Sequence, residues 1–264
     1  MQAGLQRFGT DFGNGEADRQ FFPRDDRSEH YQAEKARVLG RYPGRSLRDV
    51  RDEAERSAVT AATAWMIRTL HAEGHGDFSD HSLEQLAPAL CEDFAVVARP
   101  AAGADRVLWL HACFPSGWRP EHVVGKSFTQ IHAQIPAFDG VARRADQLAQ
   151  AMVSRGPYVR FVWTIAADDE LDHHPEQGRR AAWTSRTERG FLRVERQLTV
   201  PLPGASASVF LIRTYLYGFD ELTTDQRHVL ASALRQMPPE ILRYKRLEEA
   251  VPHALMRLGG AAPL

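Results

Sequence analysis

Only two cysteines occur in the 264 residues, Cys91 and Cys113, and both fall in apolar segments. Two such thiols leave no cysteine set for an iron–sulfur cluster, and they read as buried groups in a reducing compartment rather than as a disulfide. No apolar run approaches the roughly 20 residues of a membrane-spanning helix. The first residues are too polar for the apolar region of a signal peptide. Charge of one sign is missing too. With 33 basic residues against 34 acidic ones, no global field recruits nucleic acid or an anionic membrane. The chain also lacks repeats, low-complexity linkers and a Gly-rich strand–turn–helix fingerprint for a dinucleotide. What is present, 43% hydrophobic and 25% charged residues, is ordinary for a globular protein able to bury a real core, with a cytoplasmic location as the expectation.

Periodicity orders the rest. Residues 1–27 carry scattered Gly, Asp and Arg and read as an arm, followed by a short helix from Ser28 to Leu39. From Leu47 to His71 the apolar residues Leu47, Val50, Ala54, Ala58, Ala61, Trp65 and Leu70 follow helical spacing, stopped by Gly74 and Gly76. Ser82 with Gln85 makes a capping box for a helix reaching Cys91. The period then changes to that of strands at Phe94–Arg99 and Val107–Phe114, joined by a PAAGAD turn. A helix is expected from Phe138 to Arg155, then strands at Val159–Ala166, Phe191–Val200 and Ser208–Tyr217. Thr223 and Gln226 cap a helix to Met237, Pro238-Pro239 breaks it, and a last helix is expected over Glu240–Ala250. Three regions result: an arm with a helical extension over 1–90, a core over 91–220 and C-terminal helices over 221–264. Local reading alone gives an α+β fold, helices on one face of an antiparallel sheet.

The stretch Cys113–Pro136, CFPSGWRPEHVVGKSFTQIHAQIP, links the second strand to the long helix. Its part GWRPEHVVGKSF resembles the stretch of a PAS domain that leaves the second strand for the small helices flanking the ligand pocket. Four blocks, CEDFAVV at 91–97, CFPSGW with IHAQIP at 113–136, RFVWTI at 160–165 and LRVERQLTVPLP with FLIRTYL at 192–216, are similar to the haem-dependent oxidative N-demethylase family. Val162 stands where that family's pattern suggests Asn, and Gln134 where it suggests Pro. The resemblance implies a PAS-like five-stranded antiparallel sheet with flanking helices and helical extensions at both ends. It also implies haem b, O2, a small secondary amine as substrate, and electrons from a separate NAD(P)H-dependent flavin/iron–sulfur reductase. One N-methyl group would be hydroxylated, and the carbinolamine would collapse to the smaller amine and formaldehyde.

Several side chains are candidates for that chemistry. His132, between apolar neighbours in IHAQIP, would be the axial ligand to iron; the alternative is a core histidine tied to a backbone carbonyl. His111, on a strand, could face the pocket as a distal group or ligand, and His122 opens a helix. In β alternation Arg193, Glu195 and Gln197 share one face while Arg196 falls among Val194, Leu198 and Val200 on the other. A charge on an apolar face needs a partner, so Arg196, Arg213 and Arg160 are candidates for a haem propionate, or for a salt bridge with Asp or Glu. Trp163 and Tyr215 could box a methylammonium cation or serve as plain core, and Glu195 could anchor the amine or pair across strands with an arginine. Asp172-His173-His174, in the polar 167–180 stretch, read as surface.

Overall fold

The computed structural model describes residues 4–13, 18–100, 103–133, 135–136 and 145–259. Its strands are β1 (Gln6–Arg7), β2 (Ser46–Arg48), β3 (Asp93–Ala98), β4 (Arg106–His111), β5 (Tyr158–Ala166), β6 (Phe191–Leu202) and β7 (Ala207–Gly218). They form one antiparallel sheet of seven strands in the order β1-β5-β6-β7-β3-β4-β2. The helices are α1 (Ser28–Arg41), α2 (Glu53–Ala72), α3 (Leu83–Leu86), α4 (Phe128–His132), α5 (Ala145–Ser154), α6 (Thr224–Arg235), α7 (Pro239–Lys245) and α8 (Ala250–Arg257).

Local chemistry sets the helix starts. Asp52 accepts from Glu55 N at the head of α2, and Ser82, Ser127 and Thr223 form capping boxes with Gln85, Gln130 and Gln226. Pro239 occupies the first turn of α7, and Arg246 ends that helix in the left-handed region at φ 56°.

Register divides the sheet into two faces, because residues directly opposite across strands point the same way. One face carries Arg160, Val162 and Thr164 of β5, Gln197, Glu195 and Arg193 of β6, and Ile212, Thr214 and Leu216 of β7. It continues into Ala95 and Leu110, where Trp118, Val123, Val124 and Ile131 of the 113–136 connection pack. The other face carries Phe161, Arg196 and Arg213, then Trp163, Val194 and Tyr215. At one end it buries Leu198, Val209 and Leu211 against Ala58, Ala62, Met66 and Leu70 of α2; at the other Ile165 packs with Leu230, Leu234, Leu247 and Leu255.

Several expectations need correction. The sheet has seven strands, not five. The two additions are short edge strands, and two or three residues carry too little alternation to register as a pattern. Leu47 pairs with Leu110 in β2, and Val50 precedes the Asp52 cap, so neither belongs to α2. The last expected helix is two, α7 and α8, parted at Arg246. The expected helix over Phe138–Arg155 is seen as Ala145–Ser154; residues 138–144 lie outside the described residues, as does Gln134.

Candidate active site

The Glu195 face holds a connected polar array. Arg160 Nε donates to Gln197 Oε1 at 2.7 Å, and Gln197 Nε2 donates to Glu195 Oε2 at 2.7 Å. Glu195, Gln197 and Thr214 are buried, and Val162 stands directly opposite Glu195. Burial lowers the Arg160 pKa, with the Glu195 charge acting against it, and among the described residues no carboxylate forms an ion pair with this guanidinium. His132, half-buried at the end of α4, lies within electrostatic reach of Arg160. Its Nδ1 is 2.7 Å from the carbonyl oxygen of Phe128. That oxygen can only accept, so Nδ1 donates in this contact. Burial also lowers the His132 pKa, which favours the neutral ring. Lys245, at the end of α7, donates to Trp163 O at 2.7 Å, and the Glu195 charge supports its ammonium against burial.

The other predicted residues lie on the opposite face. Arg196 pairs with Asp18, at 2.5 and 2.8 Å, and donates to the carbonyls of Gln20 and Phe21 in the arm. Arg213 pairs with Asp25 at 2.9 Å and Glu92 at 3.6 Å, with Tyr31 and Tyr215 against its guanidinium. Both arginines thus have carboxylates of this chain as partners. Trp163 packs on the C-terminal core with the Lys245 ammonium over its ring, and Tyr215 stacks on Tyr217. His111 is fully buried and stacked on Phe94, with Ser46 Oγ 2.7 Å from Nδ1 and Cys113 Sγ 3.5 Å from Nε2. Burial pushes its pKa well down. Of the sequence candidates, Arg160 and Glu195 are joined through Gln197, and His132 lies within electrostatic reach of Arg160.

The 167–180 stretch is a correction of a different kind. Asp172, His173 and His174 are buried, not surface residues. Asp172 pairs with the buried Arg45 at 2.8 Å, His173 with Asp168 at 2.8 Å, and His174 with Glu121 at 3.1 Å. The backbone of His173 forms a parallel bridge with Ser116, so this loop clamps the PSGW turn. Polar residues bury readily when each finds a partner, which composition alone does not reveal. Gln197 and Arg193 were legible as part of an alternating polar row; Lys245 carried no signal, since its role depends on where α7 docks.

Asp93, His111 and Cys113 bring ligand-type atoms within 4.8 Å of one another. Their chemistry does not suit a cation. The Asp93 carboxylate already takes the amides of Cys113 and Phe114, at 3.0 and 2.7 Å, and the buried Lys35 ammonium at 3.2 Å. Burial pushes the Cys113 thiol up to about 12, away from the thiolate a metal requires.

The described residues thus form a seven-stranded α+β fold with a polar row, Arg160, Gln197, Glu195 and Arg193, on one sheet face. Residues 25–255 match the family described as Haem-dependent oxidative N-demethylase, alpha subunit-like, and the chain belongs to that family. The Glu195 face fits a haem: a neutral imidazole whose Nδ1–H is held by a backbone carbonyl is the form that ligates iron through Nε2. Arg160, lacking a carboxylate partner, suits a propionate. The Arg196 face fits poorly, because its guanidinium charges are already matched.

Proposed function

We propose that this chain is the haem b-binding subunit of an enzyme that oxidatively removes a methyl group from a small secondary amine. The reading is supported by the Arg160–Gln197–Glu195 hydrogen-bond chain, with His132 within electrostatic reach of Arg160. The order of the longer elements, two strands, a helical connection and three strands, supports a PAS-like core. When bound, haem would supply the iron at which O2 is activated for hydroxylation of the N-methyl carbon, with electrons from an external NAD(P)H-dependent flavin/iron–sulfur reductase. His132 would serve as axial ligand and Arg160 would hold a propionate. Glu195 would accept an N–H of the amine cation through its carboxylate and fix the methyl group in place. Val162, opposite Glu195, offers only methyl groups at that position, between Arg160 and Thr164 of the same strand face.

The same observation at Val162 favours a second reading, a haem-binding sensor or carrier without turnover, since the substituted position adjoins the amine anchor. Titration of the purified protein with haem tests both. The parent should develop a Soret band, and His132→Ala should lose it while keeping its circular dichroism. An unchanged band in that variant would remove His132 from the axial position. With a reductase and O2, formaldehyde release across a panel of methylated amines, with Val162→Asn alongside, separates enzyme from carrier. No release from either protein would leave the carrier.

A further inference from the structure

Buried cations in this protein come with carboxylates: Lys35 with Asp93, Arg45 with Asp172, Arg196 with Asp18, and Arg213 with Asp25 and Glu92. Arg193 departs from that pattern. It is 1% exposed, and its guanidinium donates to Ser116 Oγ at 2.6 Å and to the carbonyls of Phe114, Leu171 and Glu170 at 2.8, 2.9 and 3.3 Å. These acceptors are all neutral, and among the described residues no carboxylate forms an ion pair with it. Its hydrogen bonds all go to neutral acceptors, while the carboxylate charges of Glu195, Asp93 and Asp168 act on it only from beyond ion-pair distance. A buried charge without a contacting counter-charge is costly, and neutral dipoles offset only part of that cost. The side chain cannot swing away to water, because its acceptors come from two separate segments, the 114–116 turn and the 170–171 loop. Its charge therefore bears on the face it occupies, where Glu195 stands two residues along the same strand.

We propose that Arg193 is a positioning residue that lends fixed positive charge to the Glu195 face. There it favours the less positive, reduced state of a redox group bound beside it. This rests on the haem reading above. Ferric haem gains one electron from the external reductase and loses one unit of positive charge. A fixed cation in a low-dielectric surround favours that change. Ser116 and Phe114 then have a role that a turn alone does not explain: they hold the guanidinium in place without neutralising it.

The test is the reduction midpoint of haem-loaded protein, followed spectroscopically, for the parent, Arg193→Met and Arg193→Lys. Arg193→Met should shift the equilibrium about tenfold toward the oxidised form, a midpoint about 59 mV lower for one electron. Arg193→Lys should stay near the parent at pH 7 and fall with rising pH, because a buried ammonium titrates where a guanidinium does not. If the Met variant fails to fold, the pH series of the Lys variant decides. A Met variant that keeps its Soret band and the parent's midpoint would reduce Arg193 to a structural clamp, as would a Lys variant whose midpoint follows the parent at every pH. A parent that takes up no haem would overturn the haem reading itself, and this inference with it.

Discussion

Replacing Arg213 with Met should destabilise the fold and leave haem binding by the folded protein intact. The guanidinium is fully buried between Asp25, Glu92 and two tyrosine rings. Asp25 is partly exposed and can rehydrate, but Glu92 is 2% exposed and would lose its principal counter-charge. Leaving one partner of a buried pair behind costs about 3–5 kcal/mol. For a chain of this size that corresponds to a fall in Tm of roughly 6–10 °C. The pH dependence follows from Glu92. Burial already pushes its carboxyl pKa up, with Arg213 the leading charge that pulls it back, so the variant raises it further. A carboxyl whose folded pKa lies above its unfolded value gives stability that is full below the unfolded pKa and lost as pH rises through the folded one. The gap between variant and parent should therefore narrow as pH falls from 7 toward about 4.5, where a neutral Glu92 needs no partner. Urea unfolding at several pH values measures this, and Arg213→Met combined with Glu92→Gln should recover much of the loss at pH 7. A variant within about 1 kcal/mol of the parent at pH 7 would contradict the ion-pair account. Unchanged stability with lost haem would return Arg213 to the cofactor.

Two further outcomes follow from buried titratable groups. His111, whose pKa is held well down by burial, stays neutral while an unfolded histidine takes up a proton below about pH 6.5. Its stabilising share is present above that pH and lost as pH falls toward the folded value. Between pH 6.5 and 5.5 the parent should therefore lose up to about 1.4 kcal/mol more than His111→Asn, and parallel losses would refute the assignment. Cys91 and Cys113 are buried with raised pKa values, so both should resist alkylation at pH 8 until urea unfolds the chain; rapid labelling of either in native protein would mean local opening.

The longer elements were legible because their patterns are long. β6 and β7 each run 12 residues, enough alternation to place every side chain on a face, and the Ser82–Gln85 and Thr223–Gln226 capping boxes mark helix starts with residues three apart. β1 and β2 were not legible, since short edge strands form only when a neighbour offers a free ladder. Alternation in β6 also separated Arg196 from Glu195 without any structure. What it could not say was which face the 113–136 connection would cover, and the choice of cofactor residues turned on that.

The fate of the arginines shows why burial of charge is the better guide to a site. Arg160, Arg196 and Arg213 stand in strands and in sequence pose one question, while Arg193 falls in the polar row with Glu195 and Gln197. The answer lies in partners far along the chain: Asp18 and Asp25 reach Arg196 and Arg213 from the arm, 178 and 188 residues away, and neutralise them. Such pairs hold the N-terminal segment to the sheet and use up the charge. Among the described residues no carboxylate forms an ion pair with Arg160 or Arg193, and the segments packed near them offer Gln197, Ser116 and backbone carbonyls instead. Glu195 stands between these two guanidiniums along the row and accepts from the Gln197 amide. In the proposed reading an anionic cofactor and a cationic amine make opposite demands on one face, and Arg160 would answer the first and Glu195 the second, with the neutral amide of Gln197 between them.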